Sequence, residues 1–504
     1  MKAAKLPPQK ELSSKEELDE LISVYLENKD ELGNYENAEF EVRFGTRGIK
    51  PITKIDHDNV VQKLLSLGFE VEPRGKYMLR IQNEYTDIKT GRTRLSNVRT
   101  EIEGLTNIKN YCKSDRLPDN IEEAPYINFE QKFLFKKGER MYYPVNFDDF
   151  NFRVAFNVEK TWGSHAALIR DLVKSWGQNK KIFRFINRYS LTHKDYPIGI
   201  DISIVKDSHR LGRNSIPEYT IGESGVFESV EKYEIEIEVQ EHKMRHQHQS
   251  APGFTTMLKK VIKFILCGLQ ETNFPISYEE QSNTLINYER LIHGEGGQSE
   301  EKQKHGRRDH RARYKRLFPR DFVGPSSYTL QVKNIAPINQ DAIIPNIRDN
   351  YTVTDKADGL RKLLYINSTG RIYLINTNMN VQFTGAVVAN KTYFDTLLDG
   401  EHILHDKKGN FINLYAVFDI YFKNGKDIRG WRFTSTQDDD KSRLSTAKQF
   451  VNLLSSHATS TIKDVPLPIK IVTKKFYAST EELTIFDGCN LIMKNVDDDL
   501  FEYT

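Results

Sequence analysis

Between Ala38 and Gln240 most recognisable segments alternate with period two, and the polar members of the alternation are charged. Side chains two apart share one face of a strand, so each such segment presents a charged row opposite an apolar row. Two strands are extreme. AEFEVRFG puts Glu39, Glu41 and Arg43 on one face and Phe40, Val42 and Phe44 on the other. KYEIEIEVQ does the same with Glu234, Glu236 and Glu238 against Ile235, Ile237 and Val239. Like charges along a strand face repel, and glutamate is disfavoured in strands. A solvated outer face accounts equally well for either strand taken alone.

The basic strands tip the balance. Arg92 and Arg94 share a face, as do Lys132 and Lys136, and Arg184 and Arg188; Asp201 alternates with isoleucines in PIGIDISIVK. A β-barrel turned inside out explains all of them, with charged side chains in the lumen and apolar ones packed outside. Its acidic strands could hold a divalent cation and its basic strands a polyphosphate. Oxygen-only donors suit Mg²⁺ or Mn²⁺, and cationic side chains would neutralise a transferring phosphoryl group.

An ExE strand near the start and an ExExE strand near the end make residues 36–240 resemble the triphosphate-tunnel metalloenzymes, specifically RNA 5′-triphosphatases of fungi and large DNA viruses. The resemblance implies Glu39, Glu41 and Glu238 as metal ligands, with Glu236 holding the attacking water or supporting the ligands from behind. Arg94, Lys132, Arg184, Arg188 and Lys206 become phosphate-binding candidates. Arg43, Glu234 and Asp201 complete the lining, Ser203 standing where the family's acidic strand usually carries threonine.

A second constellation lies further on. YTVTDKADGLRKLLYI carries Lys356, Asp358, Gly359 and Arg361; LLDGEHI carries Asp399 and Glu401; YAVFDIYF carries Phe418 and Asp419. A lone KxDG is more often a surface turn, but three ordered pieces, each beside an apolar strand, are more specific. A lysine amine can attack an α-phosphate and form a phosphoramidate, with arginine and carboxylates fixing ribose and metal. The triple resembles the covalent nucleotidyltransferases, capping guanylyltransferases and ATP-dependent ligases. That resemblance implies GTP as substrate, Lys356 as GMP acceptor, Arg361 and Glu401 at the ribose, Asp419 at metal or nucleotide, and Phe418 stacked on the base. Triphosphatase followed by guanylyltransferase is the order of mimivirus-type multifunctional capping enzymes. Expected partners are then 5′-triphosphate RNA, a cap methyltransferase domain or subunit and a viral RNA polymerase. The expected setting is the host-cytoplasmic viral factory or the virion.

The expected fold class is α+β: an antiparallel tunnel barrel with flanking helices (1–293), a basic linker (294–327), and a partial nucleotidyltransferase α/β domain (328–504). A length of 504 residues suits several domains. An opening helix is expected, capped at Ser13 or Ser14 and running to about Lys29, with a helical pair over Gly253–Glu271 and Tyr278–His293 and a later helix over Lys441–Ser455. Net charge is only +3, so nucleic-acid contacts must be local. Lys302–Arg320, with nine lysines or arginines and one aspartate, is one candidate, equally readable as solvated linker. His242, His246 and His248 lack cysteine or acidic partners and are read as surface residues. Three distant cysteines argue against zinc or disulfides and for a reducing compartment. Lys259, Lys260 and Lys263 interrupt the most apolar helix, so no membrane span is expected.

The nucleotidyltransferase pattern departs from its family in one respect. Its fourth motif, an apolar-DG-apolar strand, has only IFDGCNLIMK as a counterpart, where Asp487-Gly488 reads as a turn, and no later KxK strand is found. The expectation is a chain that releases phosphate but does not transfer GMP to RNA. Competing readings are a tripolyphosphatase or NTPase tunnel fused to a ligase-type module, and a non-catalytic RNA-binding scaffold.

Overall fold

The computed structural model describes residues 13–497, apart from 33–35, 47–48, 74, 88–89, 213, 241–243, 245–249, 295–314, 316, 339–343, 435–440 and 480–482. The three histidines of HKMRHQHQS and most of the basic linker lie outside the described residues. Contacts divide the chain into two units, Met1–Leu269 and Gln270–Thr504.

The first unit is a closed eight-stranded antiparallel barrel. Its strands are β1 (Glu36–Phe44), β2 (Lys76–Thr86), β3 (Val98–Glu103), β4 (Ile127–Leu134), β5 (Phe152–Thr161), β6 (Lys181–His193), β7 (Tyr196–Asp207) and β8 (Lys232–Val239). They pair in the order β6-β7-β8-β1-β5-β4-β3-β2, and β2 returns to β6 to close the ring. Closure leaves no free edge, and it separates each strand's two faces into lumen and exterior.

The apolar rows face outward, as the alternation requires. Phe40, Val42, Phe44, Ile235 and Ile237 join one buried cluster. Helices α1 (Ser14–Asn28) and α3 (Ala251–Gln270) cover it. Tyr25 of α1 and Phe254 of α3 meet Phe40 with ring centroids 4.9 and 5.7 Å apart. Ser13 caps α1 in a reciprocal box with Glu16, and helix α2 (Lys54–Ser66) opens the same way with Thr53 and Asp56. A second cluster, including Leu79, Ile102, Phe129 and Phe183, backs the opposite wall. The sequence expectation of an inside-out barrel holds.

In the second unit, β9 (Leu360–Ile366), β10 (Arg371–Asn376), β11 (Val381–Val388), β12 (Thr396–His405) and β13 (Phe411–Lys423) run β13-β12-β9-β10-β11, with β14 (Lys470–Thr473) parallel to β13. The run LLYI is apolar on both faces because both are covered. Leu363 and Tyr365 pack with Leu285 and Tyr288 of α4 (Tyr278–His293). Leu364 and Ile366 pack with Phe450 and Leu454 of α5 (Arg443–His457). Asp487-Gly488 is not a turn. Asp487 accepts the Thr484 backbone N–H and hydroxyl, at 2.8 and 2.6 Å, and so caps α6 (Ile485–Asp497), whose first turn holds both residues. The Asp-Gly signal lost to the capping box.

Candidate functional site

The lumen is a cavity of about 660 Å³ lined mainly by charged side chains. Strongly tilted strands stagger residues that share a height, and following the eight pairings round the ring sorts the lining into levels. Nearest the end where β1 begins lie Glu39, Glu101, Glu130, Glu159, Asp201 and Glu238, with Arg188. The middle holds Glu41, Glu236, Arg80, Arg99, Lys132 and Asn157. Toward the end of β1 come Arg43, Arg184 and Glu234, then Arg153, with Lys232 at the mouth. The tunnel is acidic at one end and basic at the other.

Glu41 stands directly opposite Glu238 across the β1–β8 pairing. Lys132 bridges the wall, its ammonium 3.1 Å from Glu41 and ion-paired with Glu39; Asn157 donates to Glu41 at 3.3 Å. Burial, with repulsion from Glu41 and Glu159 and against the pull of Lys132, pushes the Glu39 carboxyl up to about 7. Burial, then repulsion from Asp201 and Glu39, pushes Glu238 up to about 8. Glu130 rises to about 7 through burial beside Glu101 and Glu159.

Glu236 is different. Burial alone would raise it, but Arg43 at 2.6 Å and Arg188 at 3.0 Å outweigh that and hold it below the usual carboxylate range. Arg188 also grips Asp201 at 2.7 Å and donates to Ser203 at 3.0 Å, so the serine fills a hydrogen-bonding place. Arg184 pairs with Asp207 at 3.0 Å and with Glu234.

Divalent-cation chemistry suits this wall. Its candidate donors are carboxylate oxygens, and burial outweighs the cations that reach Glu39 and Glu238, Lys132 and Arg188 respectively, so both carboxylates stay raised. Among the described residues no three such groups already converge as a closed ligand set, since Lys132 lies between Glu39 and Glu41. Cys112 offers no phosphatase nucleophile. Its thiol is pushed up by burial, whereas a reactive thiolate needs a cationic setting.

Two sequence candidates do not line the lumen. Arg94 is exposed on a short hairpin strand opposite Tyr85, beyond the barrel wall. Lys206 has the outward parity of β7 and donates to the Phe227 carbonyl at 3.0 Å. Lys136, read as sharing a face with Lys132, lies on a separate exposed hairpin. Arg80 and Arg99, which sequence reading passed over, take the inner places. The signal was present: both alternate with apolar neighbours, in MLRIQ and VRTEIE.

In the second unit Lys356 and Asp358 are almost fully exposed, with Lys356 Nζ 3.5 Å from Asp358 Oδ1 and side-chain exposures of 89% and 95%. Gly359 permits the close strand crossing behind them, since a Cβ there would meet the His402 carbonyl at 2.7 Å and Glu401 Cγ at 2.8 Å. Arg361 forks onto Asp399, at 2.6 and 3.2 Å, between the rings of Phe322 and Phe418. Asp399 is wholly buried and also accepts from Tyr421 at 2.6 Å. It anchors Arg361 rather than facing a ligand. Asp419 is held by Arg443 at 2.8 and 3.1 Å. Glu401 is half-buried; burial raises it, while Lys474 and Lys356 pull it down. Lys474, just past β14, is the residue that sequence reading missed. It is buried against Asp355, 3.5 Å from Oδ2 and touching the carbonyl, and it acts on both Glu401 and Lys356. Its clue was a lysine closing the apolar run KIVTK.

Residues 321–497 match the family described as mRNA capping enzyme, catalytic domain. That span holds every residue of the second constellation. A probable mRNA-capping enzyme of Acanthamoeba polyphaga mimivirus is 26% identical over 257 residues, covering 51% of this chain. The chain spans 17% of that relative's length. Among solved structures, the mimivirus capping enzyme triphosphatase covers 50% of this chain and 98% of its own at 15% identity and TM-score 0.33. An RNA triphosphatase of S. pombe covers 54% and 96% at 12% identity and TM-score 0.27. Likeness at those scores carries no weight, and the tunnel is read from its own strand pairing. The capping-domain match bears on the second unit, where it coincides with Lys356, Arg361 and Glu401.

Proposed function

We propose that this chain works in mRNA 5′ capping, its barrel hydrolysing the γ-phosphate from 5′-triphosphate RNA and its second unit taking GMP from GTP onto Lys356. The observation that carries the first half is the closed lumen, which sets Glu39, Glu41 and Glu238 beside Lys132, Arg80, Arg99 and Arg188. Glu39, Glu41 and Glu238 would hold Mg²⁺ or Mn²⁺, which when bound supplies charge neutralisation at the terminal phosphate and a more acidic attacking water. Glu236, kept ionised by Arg43 and Arg188, accepts a hydrogen bond from that water and orients it. Lys132 and the lumenal arginines stabilise charge on the departing phosphoryl group.

In the second unit the Lys356 amine, once deprotonated, forms an N–P bond to the GTP α-phosphate as pyrophosphate leaves. Arg361, fixed by Asp399, and Glu401 would contact the ribose, and Phe418 would stack on the base. Lys474 supplies a cation beside the nucleophile. A cap methyltransferase and a viral polymerase are the proposed partners, and a viral factory the proposed setting. No helix among the described residues is long and apolar enough to cross a membrane.

The test is RNA labelled at the γ-phosphate, incubated with Mg²⁺, with Mn²⁺ and with EDTA. Metal-dependent release of orthophosphate supports the tunnel reading; equal release in EDTA sinks it. Preference for inorganic tripolyphosphate over RNA would favour the polyphosphatase alternative.

A further inference from the structure

The tunnel's two mouths are chemically unlike. At the end where β1 begins, Glu72 and Glu103, with Lys76 as the one cation among the described residues, line the cavity in front of the acidic level. At the other end the lining is arginine-rich, and the surrounding rim continues the positive charge. There Asp207 is surrounded by Arg184, Arg210 and Lys232, at 3.0, 3.0 and 2.6 Å, so one carboxylate meets three cations. Round the same mouth, the hairpin that extends β2 carries Arg92 and Arg94, both exposed. Among the described residues neither side chain has a carboxylate partner.

Aromatic faces interleave with these cations. Tyr85 is 45% exposed and stands opposite Arg94. Tyr219 is 49% exposed, with the Lys180 ammonium, which also reaches Glu218 at 3.7 Å, 5.3 Å from its ring. The ends of β8, β7, β6 and β2 follow one another round the barrel, so these groups form one arc of the rim. Basic side chains alternating with exposed rings suit a single-stranded nucleic acid, whose phosphates and bases they contact without regard to sequence.

We infer that the RNA enters by this mouth: the triphosphate threads inward past Arg184 and Arg43 toward the carboxylate wall, and the following nucleotides lie on the rim formed by the Arg92–Arg94 hairpin, Tyr85 and Tyr219. The inference rests on the triphosphatase reading and adds the polarity of the substrate. A polyanion approaching from the opposite mouth would meet the acidic level first. The rim gives Arg94 a role outside the lumen, on the nucleotides behind the triphosphate.

The test compares two cleavage-resistant ligands in Mg²⁺, an RNA of roughly twelve nucleotides ending in a β,γ-imido triphosphate and the same group on a free nucleoside. Both are titrated against the full chain and against Arg92→Ala/Arg94→Ala. RNA affinity should fall about tenfold, and its salt slope should flatten by roughly 1.4 for two lost phosphate contacts. Free-nucleotide affinity should not move. Lys194→Ala, at the β6–β7 turn on the acidic mouth, should leave RNA affinity unchanged. Equal losses for RNA and nucleotide, no loss for RNA, or an RNA-specific loss in Lys194→Ala would each overturn the entry direction. Phosphate release from γ-labelled RNA is scored separately. A chain that binds RNA through this rim yet releases nothing would refute the catalytic reading and leave the polarity standing.

Discussion

The barrel and the second unit carry their chemistry in opposite ways. In the lumen the reactive groups are buried and already paired: Glu236 sits between two arginines, and Lys132 bridges Glu39 and Glu41. In the second unit Lys356 and Asp358 stand in water, while what is buried, Asp399 with Arg361 and Lys474 with Asp355, holds the frame. A closed barrel has no other place for its inward row, so the charged residues of the strands are also the site. An open sheet keeps its interior for packing and sets its nucleophile at an exposed strand entrance. Charge is therefore costly to the barrel's stability and nearly free at Lys356.

The comparison can be broken first at the glutamates. Glu39→Ala, Glu41→Ala or Glu238→Ala should each cut metal-dependent phosphate release by at least about a thousandfold, as for loss of a strong electrostatic contact to the transition state. Thermal unfolding without metal should show Glu238→Ala as stable as the wild type or more so, because a carboxylate repelled by Asp201 and Glu39 is gone, whereas Glu39→Ala and Glu41→Ala each also take an ion-pair partner from Lys132. Activity within tenfold of wild type in all three variants would remove the tunnel assignment.

Lys474→Ala probes the other side. It leaves Asp355 buried without its cation, and breaking such a pair costs about 3–5 kcal/mol, so the second unit's denaturant midpoint should drop while phosphate release from the barrel holds. Lys356→Ala should lose any covalent GMP label and shift stability by no more than about 0.5 kcal/mol. Equal destabilisation by the two lysine variants would contradict the division between frame and reactive group.

A dependence on pH is also expected. Glu39, Glu130 and Glu238 bind protons more tightly folded, at about 7, 7 and 8, than at their ordinary value of 4.5. The folded state therefore holds more protons than the unfolded state between these values. This contribution to metal-free stability is complete below about 4.5 and is lost as pH rises through about 8. Denaturant titrations across that window should show the decline, and Mg²⁺ or Mn²⁺ should flatten it. A metal-free barrel that gains stability toward pH 8 would show that the lumenal cations already satisfy these carboxylates.

Period-two alternation by itself determined the inside-out barrel, the outward apolar rows, and the inward placement of Glu39, Glu41, Glu236, Glu238, Arg184 and Arg188. Which residues share a face follows from backbone geometry within one strand, while the inward turn of the charged face was legible only from several such strands taken together. The KADGLR, LDGE and VFDIYF segments were likewise legible, because each adjoins an apolar strand that had to be buried. Whether a basic residue reaches the lumen was decided by tertiary structure. Arg94 belongs to a hairpin that runs past the wall, whereas Lys206, five residues from Asp201 on β7, has the outward parity that alternation alone already gives. The same holds for the paired roles. That Lys132 joins two glutamates, that Asp399 anchors Arg361, and that Lys474 lies beside Lys356 depend on strands distant in sequence becoming neighbours. Local propensity does not encode that adjacency. Pairing across the closed sheet and burial from both faces produce it.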